Sequence, residues 1–198
     1  MKLVVLMLLL LYTFFIAPGA GSQEDLLFQQ LVTGQFNEVD PLVVTVFSML
    51  GVYPIIFAML LIPKDHYRWA AWPFVLFSFV LGAFSLLTYF IFRKNKTYDK
   101  PRGPKLLHKS LVHPISVSIV LIIAVSLYVN GSGGSLTAYQ QAFMSSHLVS
   151  VMTIDLFVLI WLSYDVLKNE WNLRFSWLAF IPAIGPLVLL LKHKNLQQ

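Results

Sequence analysis

Asp155 is the residue whose type and position most suggest chemistry. It is an acid near the middle of a long apolar segment, within Met152-Thr-Ile-Asp-Leu-Phe157. An acid at the centre of a membrane costs about 2.5–3.5 kcal/mol. No Lys or Arg lies in the core of any apolar segment to pair with it. We therefore expect its carboxyl group to be protonated, or hydrogen-bonded to a hydroxyl, an amide or water.

Two interpretations of Asp155 remain open at this stage. In the functional one, the carboxyl group is a proton donor or a polar anchor in a lipid-facing pocket. In the structural one, it makes a hydrogen bond between two helices and so fixes their packing. Three polar residues of a preceding apolar segment are candidate partners for that bond: Ser78, Ser85 and Tyr89.

Two other ionisable residues share the segment of Asp155. His147 precedes it by eight residues, about two helical turns, so the two side chains would lie on nearby faces and could line one polar strip. Asp165 follows it by ten residues, near the far end of the segment. Asp155, His147 and Asp165 are therefore the candidate catalytic residues, although His147 and Asp165 are also typical of residues at a membrane interface.

The composition indicates a membrane protein. Of the 198 residues, 58% are hydrophobic and only 12% are charged, and the mean hydropathy is +0.74. Soluble domains carry about 25% charged residues, so this chain cannot cover a water-facing surface. The absence of cysteine excludes disulfides and thiolate metal sites. No metal is expected, no cofactor can be assigned, and basic residues placed beside apolar segments exclude nucleic-acid binding.

Five apolar segments are long enough to be membrane spans. They predict an all-α fold, a polytopic transmembrane helix bundle. Asp40 and Pro41 are a start signal for the first span, because an N-cap acid is followed by proline at the first helical position. The five predicted spans are residues 42–62, 69–92, 114–129, 145–167 and 175–191.

A sixth apolar segment, at the N-terminus, is typical of a signal peptide. Lys2 is followed by an apolar run and then by small residues. A helix of ~15 residues rises only ~22 Å, less than the ~30 Å hydrocarbon core. We expect cleavage, with a short retained anchor as the alternative. The expected organisation is a signal peptide or anchor in 1–20, a polar acidic segment in 21–40, the membrane domain in 41–192 and a tail in 193–198.

The charges give conflicting predictions for orientation. Loop 93–113 is the most basic, and basic loops usually stay on the cytoplasmic side. Five crossings after a cleaved signal peptide place this loop outside, whereas a retained N-terminal segment with Met1 outside places it inside. Asn95 begins an Asn-Lys-Thr sequon in the same loop. It could be glycosylated only if the loop is luminal.

Gly and Pro residues predict breaks in two of the spans. Gly51 and Pro54 lie within the first span, and a Pro-Ala-Ile-Gly-Pro run lies within the fifth, at residues 182–186. Such breaks kink a helix and often border a cavity. In the second span we expect close helix packing along a stripe of small residues: Ser78, Gly82 and Ser85.

Several stretches resemble an uncharacterised family of chloroplast and cyanobacterial membrane proteins, over about residues 40–192. They are Asp40-Pro-Leu-Val-Val-Thr-Val-Phe-Ser-Met-Leu-Gly-Val-Tyr-Pro54, Ala71-Trp-Pro-Phe-Val-Leu-Phe-Ser-Phe-Val-Leu-Gly-Ala-Phe84, His147, Asp155-Leu-Phe157, Tyr164-Asp165 and Ile181-Pro-Ala-Ile-Gly-Pro186. The last two spans are also similar to the C-terminal part of the plant membrane proteins required for neoxanthin synthesis. Those proteins share a His, an Asp-Leu-Phe run, a Tyr-x-Asp run and a Pro-x-Gly helix.

The resemblance implies a plastid-type membrane protein with a carotenoid or another isoprenoid as its partner. The N-terminus departs from that pattern, because a transit peptide would be rich in Ser and Arg and poor in acids. This chain instead has a signal-like segment followed by an acidic one. The expected locations are therefore the secretory or endomembrane system and, as the alternative, the plastid thylakoid or envelope.

Three functions are compatible with the sequence. The first is a scaffold or assembly subunit of a larger membrane complex, or a lipid- or pigment-associated membrane component. The second is an enzyme, or the essential partner of one, in carotenoid or isoprenoid isomerisation with Asp155 as proton donor. The third is a small proton-linked transporter, which the breaks in the helices favour only weakly. The sequence does not decide whether the protein is an enzyme.

Overall fold

The computed structural model describes residues 1–18, 25–93 and 98–195, and in these residues the regular secondary structure is helical, without strands. A π-helical turn, Tyr12–Ile16, extends the first helix, and short 3-10 helices form at Phe36–Glu38, Ile62–Lys64 and Ser176–Phe180. The α-helices are α1 (Lys2–Leu11), α2 (Leu26–Thr33), α3 (Pro41–Leu61), α4 (Ala71–Phe92), α5 (Lys105–Leu111), α6 (Pro114–Gly131), α7 (Leu136–Ser145), α8 (His147–Asn169) and α9 (Ile184–Asn195).

Four of these helices, α3, α4, α6 and α8, are long and apolar enough to cross a membrane. The start of α3 confirms the sequence signal, because Asp40 accepts a 2.8 Å hydrogen bond from the backbone N–H of Leu42. This helix runs without interruption through Gly51 and Pro54. The fifth predicted span, residues 175–191, is not one helix, since non-helical residues separate the 3-10 helix from α9.

Helix α4 folds back on itself at Gly82, which has φ 51° and ψ −130°. The hydroxyl of Ser85 donates to the carbonyl of Phe74 at 2.7 Å, and the rings of Phe74 and Tyr89 are 5.4 Å apart. In a straight helix, residues 74 and 89 would be about 22 Å apart along the axis. Residues 71–92 therefore form a helical hairpin, called hairpin 1, with a first arm (71–81) and a second arm (83–92).

Residues 175–192 fold back in a similar way and are called hairpin 2. The ammonium of Lys192 lies 5.0 Å from the ring centre of Phe175, although seventeen positions separate the two residues. The turn contains Ala183, which has φ 58°. A side chain at Gly185 would overlap the carbonyl of Leu178 in the opposite arm, so close packing of the two arms requires glycine there.

Helix α1 packs mainly against α4 and runs antiparallel to α8, which the N-terminal segment contacts near both ends. The ammonium of Lys2 is 2.7 Å from the Asp165 carboxylate near the end of α8. Tyr12 makes a 2.6 Å hydrogen bond with Ser150 near the beginning of α8. Leu9, between these contacts, is buried in the core. The N-terminal segment is thus an integral part of the described bundle.

The two ends of the bundle carry opposite charge. Helices α3 and α8 both begin at one end, and no Lys or Arg occurs between Lys2 and Lys64 or between Lys109 and Lys168. We call that end, with Asp25, Glu38 and Asp40, the acidic end. The opposite end, where Lys64 and Arg93 both contact Glu170, is called the basic end. In the described residues, both hairpins begin and end at the basic end, and their tips lie deeper in the bundle.

Candidate functional site

Gly82 at the tip of hairpin 1 determines the geometry of the site. Its backbone lies in a region that L-residues rarely adopt. A Cβ atom at this position would also overlap the carboxylate of Asp155. The sequence predicted that Gly82 belongs to a small-residue stripe suited to close helix packing. Gly82 does lie against Asp155 of α8, but the helix reverses at this residue, so Ser78 and Ser85 do not continue one stripe with it.

Asp155 caps the second arm of hairpin 1 at this reversal. A helix that starts here leaves its first backbone N–H groups without intrahelical partners. The N–H of Ala83 donates to both carboxylate oxygens of Asp155, at 2.9 and 3.1 Å. Asp155 is only 5% exposed. Its partner is therefore a backbone amide of another segment, and none of the predicted side-chain partners.

The three predicted partners of Asp155 bond elsewhere or lie in other contacts. Ser78 donates to the carbonyl of Val75 and Ser85 donates to that of Phe74. Tyr89 packs against Phe74 in the base of the hairpin. The structural interpretation required a hydrogen bond between Asp155 and another helix, and this bond exists. Its donor is the backbone N–H of Ala83, so the side-chain types of the second span could not identify it.

A cavity of about 420 Å³ lies beside Asp155, between hairpin 1, α3 and α8. Phe47 and Gly51 of α3, Met152 of α8 and Val80 of the first arm contribute to its mostly apolar wall. Val80 is 86% exposed, so the cavity opens sideways at the outer surface of the bundle. The volume falls within the range of small-molecule sites, about 300–1,000 Å³.

Gly51 creates part of the space in this cavity. It lies on the wall, and a Cβ atom added to it would have no atom within 4 Å. The sequence indicated a break near Gly51, which could either border a cavity or only kink the helix for packing; Gly51 lines the cavity, but the helix is not interrupted there. A larger side chain at this position would occupy the cavity without displacing its neighbours.

The base of hairpin 1 is fixed by charged residues at the basic end. Asp65 accepts a 2.9 Å hydrogen bond from the N–H of Ala71, at the start of the first arm. Arg93, directly after the second arm, forms an ion pair with Glu170. Burial alone would lower the pKa of Arg93, but the hydrogen bond and charge of Glu170 outweigh it and raise that pKa. Both arms are thus held at one end, and the tip is held by Asp155.

A second acid, Asp25, covers the acidic end of α8. Its carboxylate accepts from the N–H of Phe28 at 3.1 Å, from the hydroxyl of Ser146 at 2.7 Å and from the N–H of Leu148 at 3.2 Å. Partial burial alone would raise the pKa of Asp25, but these hydrogen bonds outweigh it and hold that pKa below its ordinary value. One side chain therefore caps both α2 and α8, and Leu148 also lines the cavity.

The other predicted site residues do not join Asp155. His147 is the first residue of α8 and is not part of the cavity wall. Asp165 lies near the basic end, where it pairs with Lys2 and accepts from Asn169 at 2.8 Å. Asn95 lies outside the described residues. The three candidate catalytic residues are thus spread along α8 and do not form one constellation.

The cavity offers one ionisable group in an otherwise mostly apolar wall. Of the described residues that line it, Asp155 alone is ionisable, and the hydroxyls of Ser48 and Ser78 are the other polar side-chain groups. Within the described residues, no three His, Asp or Glu side chains lie together as metal ligands. The arrangement can enclose an apolar chain and offer one hydrogen-bonding or proton-donating group to a polar atom on it.

Sequence reasoning did not identify the contribution of the hairpin tip. Gly82 and Ala83 supply the turn and the amide, and Phe79 and Val80 supply the outer wall. One signal was available, since a glycine lies at the centre of a 22-residue apolar helix. A glycine at this position is equally compatible with a straight, closely packed helix, so the sequence alone does not distinguish a reversal from such a helix.

Comparisons with models of known families, with curated proteins and with solved structures find no match to this chain. The function proposed below therefore depends on the geometry of the site.

Proposed function

We propose that this chain is an integral membrane protein that binds a lipid-soluble molecule in the cavity beside Asp155. The observation that carries the proposal is a buried carboxyl group in the wall of a sideways-opening apolar cavity. A carboxyl group at that depth costs free energy. One helix cap satisfies part of its hydrogen-bonding capacity, and a ligand in the cavity would use the rest. This favours the lipid- or pigment-associated component over a scaffold without a ligand.

The charge distribution supports an orientation with the basic end in the cytoplasm or the equivalent compartment. When hairpin 1 is counted as re-entrant instead of crossing, residues 98–113 lie at the basic end with Lys64 and Arg174. This holds whether the N-terminal segment is cleaved or retained, because α1 runs from the basic to the acidic end. A topology in which hairpin 1 is re-entrant therefore removes the conflict between the basic loop and the positive-inside rule.

The contacts of α1 favour retention of the N-terminal segment over its cleavage. Its removal would expose the partners of Leu9 and leave Asp165 without Lys2. N-terminal sequencing of the purified protein tests this part of the proposal. A mature chain that begins after residue 18 would contradict it and leave the cavity unaffected, since none of the residues lining the cavity belongs to α1.

The direct test of function is the lipid content of the purified protein. Extraction and mass spectrometry of the wild type should give a defined lipid-soluble compound at near-stoichiometric amounts. Gly51→Leu should reduce that amount at least tenfold, because the leucine occupies the cavity. Gly133→Ala is the matched control, since Gly133 lies away from the cavity and its added Cβ meets no atom closer than 3.5 Å. Equal content in all three proteins would contradict the proposal.

A second candidate function is catalysis of proton transfer to a bound isoprenoid such as a carotenoid. The observation that favours it is that Asp155 is the one ionisable group on the described cavity wall. Asp155→Asn should then keep the bound compound but abolish its conversion in a host that makes it. Asp165→Asn, in the same helix but away from the cavity, should leave conversion unchanged. An unchanged product profile in Asp155→Asn would eliminate this function.

A further inference from the structure

The depth of Asp155 in the bundle limits the chemistry of the bound molecule. Hairpin 1 enters from the basic end, and its tip lies eleven residues from Ala71. That corresponds to about 16 Å of helix, close to half of the ~30 Å hydrocarbon core. Asp155 contacts the tip directly. The polar group that meets Asp155 therefore lies near the middle of the membrane.

The cavity extends from the tip of hairpin 1 toward the acidic end of the bundle. Its α3 residues, Phe47 to Gly51, belong to the first eleven residues of that helix, which begins at the acidic end. Its α8 residues, Leu148 to Asp155, belong to the first nine residues of a helix that also begins there. The re-entrant hairpin forms the floor of the cavity, and the sideways opening faces the leaflet on the acidic side.

A charged headgroup does not suit this position. Transfer of an ionised group to an apolar environment is far more costly than transfer of a hydroxyl, and the described cavity wall holds no cation to pair with a phosphate. A hydroxyl costs less, and a hydrogen bond to the carboxyl group of Asp155 offsets that cost. Neutral lipids with one hydroxyl group meet this requirement, whereas phospholipids do not.

We infer that the cavity binds a neutral alcohol with a long apolar chain from the leaflet on the acidic side, with the hydroxyl group at Asp155 and the apolar chain along the wall formed by Phe47, Val80 and Met152. This inference rests on the proposed function, since it names the class of the ligand bound there. Prenols, long-chain alcohols and hydroxylated carotenoids share this chemistry. A large member of the class would be enclosed only in part, and the rest of its chain would leave through the sideways opening.

The test uses the full-length protein in phosphatidylcholine nanodiscs with three photoreactive probes of equal chain length. The probes are a diazirine-bearing primary alcohol, its methyl ether and a phosphatidylcholine with the same diazirine chain. Peptide mass spectrometry measures labelling of the α8 residues that line the cavity. The alcohol should label them at least about tenfold more than the ether, the effect of roughly one net hydrogen bond. The phosphatidylcholine should stay at the level of lipid-exposed control peptides.

Two variants sharpen the measurement. Gly51→Leu should strongly reduce labelling by the alcohol, because its side chain extends into open space at the cavity wall. Asp155→Leu should bring the ratio of alcohol to ether close to one, and this ratio is internal to each sample, so a lower yield of folded protein does not affect it. A ratio that stays at tenfold in Asp155→Leu would contradict the role of Asp155.

The outcomes separate this inference from the proposed function. Equal labelling by alcohol and ether in the wild type overturns the alcohol class but keeps a lipid-binding cavity. Labelling by phosphatidylcholine as strong as by the alcohol overturns the argument from depth. Absence of cavity labelling by all three probes overturns both the inference and the proposed function.

Discussion

Hairpin 1 and hairpin 2 both fold back from the basic end, and each turns at a residue with positive φ, Gly82 in one and Ala183 in the other. Each tip also has a buried polar partner for a backbone amide. In hairpin 1 that partner is the carboxylate of Asp155, and in hairpin 2 the hydroxyl of Tyr53 accepts from Ala183 at 3.2 Å. In both hairpins a backbone N–H at the tip is therefore hydrogen-bonded to a side chain, a carboxylate in one and a hydroxyl in the other.

The surroundings of the two tips differ. Tyr53 and Ala183 are fully buried, and Tyr128 donates to the carbonyl of Pro182 at 3.0 Å, so the tip of hairpin 2 is packed solidly. The tip of hairpin 1 borders a cavity and exposes Val80 at the outer surface. At the filled tip of hairpin 2, the uncharged hydroxyl of Tyr53 is enough to accept the hydrogen bond from the backbone N–H of Ala183. The costlier carboxyl group occurs where a ligand could use it, and this difference points to hairpin 1 as the functional one.

The largest expected effect is that of Gly82→Ala. The alanine Cβ would overlap Asp155 and force an L-residue into a strained backbone region. We expect destabilisation of about 3 kcal/mol or more, seen as a fall of about 10 °C in the thermal midpoint of the detergent-purified protein. Gly133→Ala, which meets no such overlap, should stay within about 1 °C. An equal response of both variants would mean that the chain does not reverse at Gly82.

Asp155→Leu should have the next largest effect. It leaves the N–H of Ala83 buried without its acceptor, which costs about 1–3 kcal/mol. Asp155→Asn keeps an oxygen acceptor and should cost less than about 1 kcal/mol. Denaturation of the two variants side by side checks the difference. Equal destabilisation by Asn and Leu would show that Asp155 does not stabilise the fold by accepting the hydrogen bond from Ala83.

Tyr53→Phe tests the other tip. The phenylalanine keeps the packing but removes the acceptor for the N–H of Ala183, so we expect a loss of about 1–2 kcal/mol. Because hairpin 2 does not line the cavity, the content of bound lipid should not change. A loss of bound lipid in this variant would show that the two hairpins are not independent in function.

The smallest expected effect concerns Asp25 and pH. Its pKa is lowered in the folded protein, so the stability it contributes is present above its unfolded value, about 3.9, and is lost as pH falls through the lower folded value. As pH falls below that unfolded value, hydrogen exchange in α2 should increase, with a cost near 1 kcal/mol for the lost caps. Asp25→Asn should remove that pH dependence. The same pH response in Asp25→Asn would show that Asp25 is not the group responsible for the loss of stability at low pH.

The sequence predicted those parts of the fold that depend on neighbouring residues. The start of α3 at Asp40 and Pro41 is one case, because a cap and a fixed φ act locally. The importance of Asp155 is another, because an acid in an apolar segment is unusual wherever the segment lies. Three of the five predicted spans each correspond to one uninterrupted apolar helix, α3, α6 and α8, and the second corresponds to α4, which is apolar but reverses at Gly82.

The parts that could not be predicted depend on residues far apart in the chain. A glycine within an apolar segment suits a straight packed helix or a reversal, and the contact between Ala83 and Asp155, 72 residues apart, decides which forms. The turn of hairpin 2 similarly depends on Tyr53, 130 residues from Ala183. The cavity requires three segments at once, so no single stretch of sequence indicates it.

The most direct test of this account is the position of the two ends of hairpin 1 relative to the membrane. The chain has no native cysteine, so single-cysteine variants can be labelled without background in sealed vesicles. Arg68 and Lys100 are exposed residues on either side of the hairpin, and Glu38 is exposed at the acidic end. A membrane-impermeant maleimide should react with Arg68→Cys and Lys100→Cys from the same side and with Glu38→Cys from the other. Reaction of Arg68→Cys and Lys100→Cys from opposite sides would show that residues 71–92 cross the membrane and would contradict the account.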